Sequence, residues 1–376
     1  MGKRLFTRST IRARGKLLWA GVLRFSGVLR LARRWVRNRG TIVLTFHRVL
    51  PDDELRSTAS LPGMVVREKT FDDFLRYAAQ SCQFADLAHE PDWSPSPKLK
   101  LAVTFDDGWS DSATNTAPIA GKHRVPLLIF IVPEKMGTTL PFWPERAASV
   151  LEQRLAGARG AGANYIERAI ENLKELPAEE RNQRVGQMVA EHPAAEPVPD
   201  VDRTMTWEQA RALDRQGVRL GSHTSTHEIL TAITLSQAEQ EIFGSRDRIE
   251  HELAKPCEFF SYPNGDCSGE VRDLAERAGY RLAFLNQDPG VWTRDCDPYL
   301  IPRVNVCEYH LVNAKGEFSP LIFEYAVIWK AAKGLMRESW RKIAGMARSM
   351  DESGKGLPRQ QGPTTKNRKQ RAGLSS

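Results

Sequence analysis

The sequence predicts an α/β fold in which about seven strands form one parallel sheet that closes, or nearly closes, into a barrel. Apolar runs rich in β-branched residues alternate along the chain with stretches of helical composition. Such alternation is typical of parallel strands connected by helices. The sequence has neither the G-x-G-x-x-G nor the G-x-x-x-x-G-K-[ST] motif, which argues against a dinucleotide-binding or P-loop protein.

Length and composition indicate a globular protein. The 376 residues leave room for one large domain or two ordinary ones, and 41% are apolar and 27% charged. No run of about 18 apolar residues occurs, so no membrane-spanning helix is predicted. The five cysteines are odd in number and form no C-x-x-C motif. They predict reduced thiols in the cytoplasm rather than a disulfide framework.

The positive charge is concentrated at one end of the chain. Residues 1–40 contain twelve Lys and Arg and no acidic residue, although the net charge of the whole chain is +8. The remaining residues, 42 basic and 46 acidic, are mildly acidic overall. A nucleic-acid-binding domain would carry its basic residues on the folded body, so we expect no nucleic-acid partner.

We interpret residues 1–40 as a basic N-terminal segment whose residues 9–37 form one amphipathic helix. Such a helix could lie on an anionic membrane surface, pack against the domain with its basic face in solvent, or belong to a cleaved signal peptide. The first reading places the protein in the cytoplasm, peripheral at the inner membrane face, and makes secretion the weaker alternative. At 100° per residue the apolar stripe comprises Leu18, Val22, Phe25, Leu29, Ala32 and Val36.

The rest of the chain divides into a main domain and two terminal pieces. Residues 41–315 form the domain, and residues 143–205 interrupt its strand–helix alternation with a composition that predicts a helical insertion. Residues 316–350 are predicted to be helical, and residues 351–376 to be a disordered basic tail. The predicted strands are Thr41–Phe46, Leu99–Phe105, Val125–Val132, Val218–Ser222, Glu258–Tyr262, Tyr280–Leu285 and Tyr299–Val306.

Chemically active side chains follow several of these strands. In an α/β barrel the carboxyl ends of the strands meet on one face, so residues far apart in the chain can share a site. Such residues are His47, the pair at 106–107, the pair His223 and His227, and the segment 262–264. Their convergence is the main argument for an active site.

Histidines four residues apart, together with an aspartate, have the composition of a divalent-metal site. Imidazoles at i and i+4 can face the same way on one helical turn, as His223 and His227 would. One carboxylate of the Asp106–Asp107 pair would complete a facial triad, and the other could act as a base. Alternatively, the histidines could be exposed or capping residues, and Asp-Asp-Gly could be a simple turn.

The motifs in combination resemble those of the polysaccharide deacetylase family, the NodB-homology domain or carbohydrate esterase family 4. Thr104–Gly108 reads T-F-D-D-G, Ser222–His227 reads S-H-T-S-T-H, and Phe260–Gly265 resembles the third motif of the family. The likeness covers about residues 40–130 and 205–306. It implies a distorted (β/α) barrel of about seven parallel strands, to which the helical insertion and the terminal basic helices are additions.

The resemblance implies a metal-dependent hydrolase that removes an N-acyl group, acetyl in the first instance, from an amino sugar. Asp106 corresponds to the general base, and Asp107, His223 and His227 to the ligands of a divalent metal. That metal would be Zn²⁺, with Co²⁺ or Ni²⁺ as alternatives. The backbone N–H of Asn264 would help to hold the oxyanion.

Two features depart from the family pattern. Phe260 or its neighbour stands where an arginine usually orients the catalytic aspartate, and the late Leu-x-His motif that supplies the acid is absent. Thr45–Val49 resembles the early Tyr-His-x-Val-like segment of a permuted arrangement, which makes His47 the predicted general acid. Arg303, after a late strand, is predicted to orient Asp106 in place of the missing arginine.

The sequence leaves three functions open. The substrate could be a polysaccharide, an oligosaccharide or a glycolipid, so a carbohydrate or glycolipid partner is expected. A deformylase or deacetylase of a lipid-linked amino sugar at the inner membrane face is one alternative, and a catalytically degenerate scaffold with the same fold is another. Trp143 could line a sugar cleft or belong to the core, and Cys257 and Cys267 are expected to pack rather than bind metal.

Overall fold

The computed structural model describes residues 10–89, 93–94, 96–138, 142–155, 163–192, 200–287 and 289–340. The chain divides into two compact units, Met1–Leu335 and Met336–Ser376, and the first contains every element discussed below. Of the second unit, residues 336–340 are described and are helical. The predicted disordered tail at 351–376 and the last ten residues of the predicted C-terminal helical segment lie outside the described residues.

The strands are short and mostly buried, as expected for a parallel sheet covered on both faces. In β1 and β5 nearly every residue is buried, which explains why these two segments read as continuous apolar runs. The strands are β1 Gly40–Phe46, β2 Arg48–Leu50, β3 Val65–Arg67, β4 Cys82–Phe84, β5 Leu99–Phe105, β6 Leu127–Ile131, β7 Arg219–Ser222, β8 Phe259–Ser261, β9 Leu282–Phe284, β10 Val291–Thr293 and β11 Val304–Asn305.

The sheet is curled and mostly parallel, which confirms the predicted α/β fold. Its main path runs β10-β1-β5-β6-β7-β8-β9, and only the β10–β1 pairing within that path is antiparallel. Strand β11 pairs with β1, and Ile301, just before β11, bridges to β9. The segment 301–305 therefore connects the two sides of a half-barrel whose parallel strands end on one face.

Helices cover the sheet and connect its strands. Thr206 and Thr234 begin α8 and α9 with reciprocal capping boxes, in which the threonine hydroxyl accepts from the third backbone N–H of the helix. The helices are α1 Thr10–Phe25, α2 Val28–Arg37, α3 Glu68–Ser81, α4 Ala117–Lys122, α5 Trp143–Leu155, α6 Ala163–Lys174, α7 Ala178–Ala190, α8 Trp207–Arg215, α9 Leu235–Leu253, α10 Gly269–Arg277 and α11 Pro320–Phe323.

The insertion at 143–205 is helical, as its composition predicts. Helices α5, α6 and α7 pack on one another around their own apolar cluster, which includes Leu151, Ile170 and Val185. The insertion rejoins the domain near Asp202, which pairs with the buried guanidinium of Arg48. It is thereby fixed next to the carboxyl end of β1.

The prediction of one amphipathic helix over residues 9–37 is wrong. Gly27 adopts a left-handed conformation, with φ of 79°, and separates α1 from α2. The predicted apolar stripe is therefore divided between two helices. Its later members, such as Leu29 and Val36, are buried, whereas Leu18 and Phe25 are 74% and 94% exposed. Across the described residues, no helix has the length and apolar content to span a membrane.

Candidate active site

Four of the predicted residues converge at the carboxyl face of the sheet. His47 follows β1, Asp106 and Asp107 follow β5, and His223 follows β7. Together with His227 they line one cavity of about 140 Å³. The three strands are not consecutive in the sequence, so it is the parallel pairing that brings these side chains together.

Asp107 is held in an uncommon backbone conformation that directs its carboxylate between two histidines. Its φ is 73°, and the following Gly108 has φ of 68°. A Cβ at Gly108 would lie 3.0 Å from Ile131, so the turn has no room for a side chain. The indole N–H of Trp109 donates to Oδ2 of Asp107 at 3.0 Å, while Oδ1 lies near both imidazoles.

The two histidines lie in an irregular loop rather than on a helical turn, so the expectation of a helical i, i+4 pair is wrong. Thr224 and His227 both have positive φ, 64° and 73°. The backbone N–H of His227 donates to the hydroxyl oxygen of Thr224 at 3.0 Å, which stabilises the loop. This loop brings the imidazole rings of His223 and His227 to 4.9 Å between centroids.

The donor set formed by Asp107, His223 and His227 fits a divalent cation. Oδ1 of Asp107 lies 3.6 Å from Nε2 of His223 and 3.3 Å from Nε2 of His227, and one ligand atom from each residue lies within 4.8 Å of the other two. Donors about 2.0–2.2 Å from a tetrahedral zinc ion are roughly 3.3 Å apart. A carboxylate with two imidazoles therefore has both the spacing and the chemistry of such a site.

The protonation of His223 also suits a metal ligand. Its Nδ1–H donates to the carbonyl oxygen of Ser261 at 2.8 Å, which leaves Nε2 as the lone-pair nitrogen facing Asp107. Burial lowers the pKa of His223 to about 4, so the ring is neutral at physiological pH. The neutral form is the one that binds a metal ion.

Arg303 lies where the sequence predicted an orienting group for Asp106. Its guanidinium binds both carboxylate oxygens, at 2.8 and 2.7 Å, and neither side chain is appreciably exposed. It also donates to Leu285, Thr104 and Ser261. Burial raises the pKa of Asp106, but the charge and hydrogen bonds of Arg303, together with the neighbouring histidines, hold that pKa below its usual value. Asp106 is therefore an ionised, fixed carboxylate.

His47 is buried in the same cavity. Its Nδ1 has no hydrogen-bond partner among the described residues. Burial lowers the pKa of His47 in spite of the nearby charges of Asp107 and Asp106, so its ring is uncharged near neutral pH. The structure thus places His47 beside both carboxylates, while its predicted role as general acid stays a prediction.

Asn264 lines the outer part of the cavity. It has φ of 61° in the Pro-Asn-Gly turn after β8, and its side-chain amide donates to Asp266 at 2.6 Å. Gly265 lies so close to Asn286 that a Cβ would be 2.6 Å from the backbone nitrogen of that residue. The turn is therefore fixed beside the candidate metal ligands, and the role of the Asn264 N–H in holding an oxyanion stays a prediction.

The remaining sequence candidates have simpler environments. Cys257 and Cys267 are free thiols, and their sulfurs contact the carbonyls of Phe259 and Ser268. Neither belongs to the candidate metal cluster that the described residues form. Trp143 packs on the insertion core and also lines the cavity, while contact with a sugar stays a prediction.

Sequence reasoning missed Glu145, which enters the cavity from the first turn of α5. Its side chain is buried, and burial together with the charge of Asp107 raises the pKa of Glu145 to about 8. The carboxyl is therefore protonated at neutral pH and can donate a hydrogen bond. In the sequence, the only notable feature of Glu145 is that it is an acidic residue near the start of a predicted helix. Acidic residues are common in the first turn of a helix, so this feature does not indicate an active site.

A buried network behind Asp107 was also missed. The guanidinium of Arg48 pairs with Asp111 at 2.9 Å and with Asp202, and stacks 4.4 Å from the ring of Trp109. Trp109 in turn donates to Asp107. The network fixes the indole and so orients the carboxylate that faces the two histidines.

A curled, mostly parallel sheet with an Asp-His-His cluster at its carboxyl edge defines the class as an α/β protein with a candidate metal site. The polysaccharide deacetylase family model matches residues 94–283, half of the sequence, and the chain belongs to that family. The resemblance noted in the motifs is thereby confirmed, although nothing shows a permuted motif order.

Individual relatives are distant. YxkH of Bacillus subtilis (strain 168), which is named for the same family, is 21% identical over 270 residues, covering 70% of each chain. A polysaccharide deacetylase from Bacillus cereus has the same fold, with a TM-score of 0.50 at 15% identity over 77% of this chain and 69% of its own. IcaB from Ammonifex degensii gives a TM-score of 0.49 at 15% identity, over 78% and 97%.

Proposed function

We propose that this protein is a metal-dependent hydrolase that removes an N-acyl group, acetyl in the first instance, from an amino sugar. The observation that carries the proposal is the meeting of Asp107 with His223 and His227, next to a second carboxylate fixed by Arg303. Family membership indicates the class of reaction, and the arrangement of these side chains indicates which residue could perform each step.

Each residue has a defined task in the proposed reaction. Asp107, His223 and His227 hold the metal, Zn²⁺ with Co²⁺ or Ni²⁺ as alternatives, and the bound ion would polarise the amide carbonyl and lower the pKa of water. Asp106 is ionised and aligned by Arg303, so it can take the proton of the attacking water.

The later steps of the proposed reaction use groups on two further loops. The backbone N–H of Asn264 is placed to stabilise the oxyanion of the tetrahedral intermediate. The proton that Asp106 takes from the water passes through His47 to the nitrogen of the leaving amine, which departs as the free amino sugar. The position of His47 in the same cavity as Asp106 is what favours this relay.

The size of the cavity favours a short acyl group. Its volume of about 140 Å³ resembles that of a protein cavity that holds a benzene molecule. A formyl or acetyl group fits such a space together with part of a sugar ring. The apolar side chains of Phe142, Trp143 and Ile170 line the cavity and can contact the acyl methyl or the apolar face of the sugar.

Helix α1 favours a second candidate, a lipid-linked amino sugar as the substrate. The helix is fixed to the domain, since the ammonium of Lys16 donates to the carbonyl of Tyr309 at 2.7 Å. Its opposite face exposes large apolar residues, Leu18 at 74%, Trp19 at 54% and Phe25 at 94%. With the many basic residues of the segment, this face suits an anionic membrane surface, such as the inner face of the cytoplasmic membrane.

The experiment that tests the proposed function is the release of acetate or formate from a panel of N-acylated amino sugars, soluble and lipid-linked, with and without a chelator. We expect release that the chelator abolishes and added metal restores. Asp106→Asn should abolish release, and His47→Ala should reduce kcat by about 100-fold. If His47→Ala leaves the rate intact while Asp106→Asn abolishes it, the assigned acid is wrong. If no member of the panel is hydrolysed, the degenerate-scaffold alternative is favoured.

A further inference from the structure

A second cavity of about 880 Å³ lies directly beside the active-site cavity. We call it the lysine groove, because Lys16 of α1 and Lys330 and Lys333 of the C-terminal helical segment line it. Asn286 and Asn305 line both cavities, so one molecule bound in the active site could extend into the groove. Its volume is that of a pocket for an ordinary small molecule.

The described residues that line the groove make it cationic. Among the described residues that line it, none is Asp or Glu. Lys330 and Lys333 form no ion pair with a described carboxylate, and the ammonium of Lys333 lies 5.6 Å from the centre of the Trp329 ring. Glu324, earlier in the same helical segment, pairs instead with one arginine of α1 and one of α2. The charges of Lys330 and Lys333 are therefore available to a ligand.

Arg303 borders the groove, but its guanidinium has no free N–H group to donate to a ligand. All five N–H groups of Arg303 are used, by both carboxylate oxygens of Asp106 and by Leu285, Thr104 and Ser261. An anion in the groove would therefore bind to the lysines and leave the alignment of Asp106 undisturbed.

The wall shared by the two cavities offers a polar contact for a sugar. Oδ1 of Asn305 is buried and has no hydrogen-bond partner among the described residues. Rotation of this side chain would let Oδ1 accept a hydrogen bond from a sugar hydroxyl at the junction of the active site and the groove. A sugar held at this junction would place its N-acyl group in the active-site cavity and a further substituent in the lysine groove.

We propose that the lysine groove binds a phosphate group on the amino sugar whose N-acyl group lies in the active-site cavity. This inference rests on the proposed function and narrows its substrate class to phosphate-bearing amino sugars. Lysine is a common phosphate ligand, and the ammonium groups of Lys330 and Lys333 match the charge of a phosphate ester. The ester could be that of a lipid-linked sugar or of a soluble sugar phosphate, since both present the same group.

The test compares N-acetylglucosamine, its 1-phosphate and the same phosphate linked to a short prenyl chain. We expect kcat/KM to be at least about tenfold higher for the phosphates than for the neutral sugar, a difference of about 1.4 kcal/mol, because hydrogen bonds to charged groups are stronger than those between neutral groups. Raising the ionic strength should reduce this preference. A preference for the prenyl-linked compound over the 1-phosphate would identify the lipid as the source.

The decisive variant is the double substitution Lys330→Gln with Lys333→Gln. It should remove the preference for phosphate while leaving the rate with the neutral sugar unchanged, which also shows that the variant is folded. Lys98→Gln is the control, since Lys98 is exposed and lines neither cavity. Equal kcat/KM for all three sugars in the wild-type protein, or a preference that survives the double substitution, would overturn the proposal.

A binding measurement separates failure of this inference from failure of the proposed function. Titration calorimetry with N-acetylglucosamine 1-phosphate needs no turnover, and we expect the double variant to bind it at least about tenfold more weakly than the wild type. If no sugar is hydrolysed but this difference is found, the groove assignment stands and the proposed reaction fails. Equal binding by the two proteins would overturn the assignment.

Discussion

The hydrogen bonds to Asp106 come from an arginine at a different position in the chain from the one that the motif pattern leads one to expect. The third motif has Phe260 where the sequence pattern calls for an arginine, and Phe260 is buried in the core. Arg303, which precedes β11, instead reaches both oxygens of Asp106 and the hydroxyl of Ser261. The sheet makes this possible, because segment 301–305 bridges β9 and β1 beside β5.

Arg303→Lys is expected to lower kcat by about 100-fold with a smaller change in KM. A lysine cannot form the two-point contact, and a misplacement of about 1 Å at a reacting group costs about that factor. Steady-state kinetics measure the effect, and metal content should be unchanged because Arg303 contacts none of the three candidate metal ligands. Arg211→Lys, at a surface pair with Glu252, is the control. An unchanged kcat for Arg303→Lys would contradict the positioning role.

Glu145 makes the stability of the metal-free protein depend on pH. Its folded-state pKa of about 8 lies above the ordinary value of 4.5, so folding favours the protonated form. Its contribution to stability is fully present below about pH 4.5 and is lost as the pH rises through about 8. Within that window each pH unit costs at most about 1.4 kcal/mol.

Glu145→Gln should therefore gain stability over the wild type as the pH is raised from about 5 to about 8. The amide has nearly the shape of the neutral acid but cannot ionise, so the two proteins should be similar at low pH. Urea unfolding of chelator-treated protein at several pH values measures the difference. A difference in unfolding free energy that does not change with pH would show that Glu145 titrates normally.

At the scale of elements, local composition predicted the helices and strands more reliably than hydrophobic periodicity did. Helices α5–α7 were recognisable from their composition, and the parallel strands from their apolar runs. The stripe over residues 9–37 was misleading because a helical wheel assumes an unbroken helix, and Gly27 takes a left-handed φ that ends α1. The result is an apolar face of α1 that points away from the domain core, including Trp19 and Phe25.

Replacing Trp19 and Phe25 together by serine should weaken binding to vesicles that contain anionic lipid. These side chains are 54% and 94% exposed, so their loss should leave the fold intact while removing the apolar area available for insertion. Vesicle co-sedimentation measures binding, and Leu235→Ser, at an exposed position on α9, is the matched control. Equal sedimentation of the double variant and the wild type would contradict membrane docking through α1.

At the scale of the whole molecule, the sequence specified which residues meet but not how they are supported. The positions of Asp106, Asp107 and His223 at strand ends followed from parallel pairing, which is a property of the fold class. The supports of Asp107 come from irregular segments instead, with Trp109 two residues further on and Arg48 linked to Asp202 over 154 residues. Such contacts depend on loop conformation, which no periodic pattern encodes.

The central claim is that Asp107, His223 and His227 together bind one divalent ion, and metal analysis of the purified protein tests it most directly. We predict about one equivalent of zinc or a similar ion per chain in the wild type, and a large loss in both Asp107→Ala and His223→Ala. His123→Ala, which alters a histidine paired with Asp72 outside the cavity, should keep the ion. A wild-type protein that binds no divalent ion after incubation with zinc, or an Asp107→Ala variant that binds it as tightly, would contradict the claim.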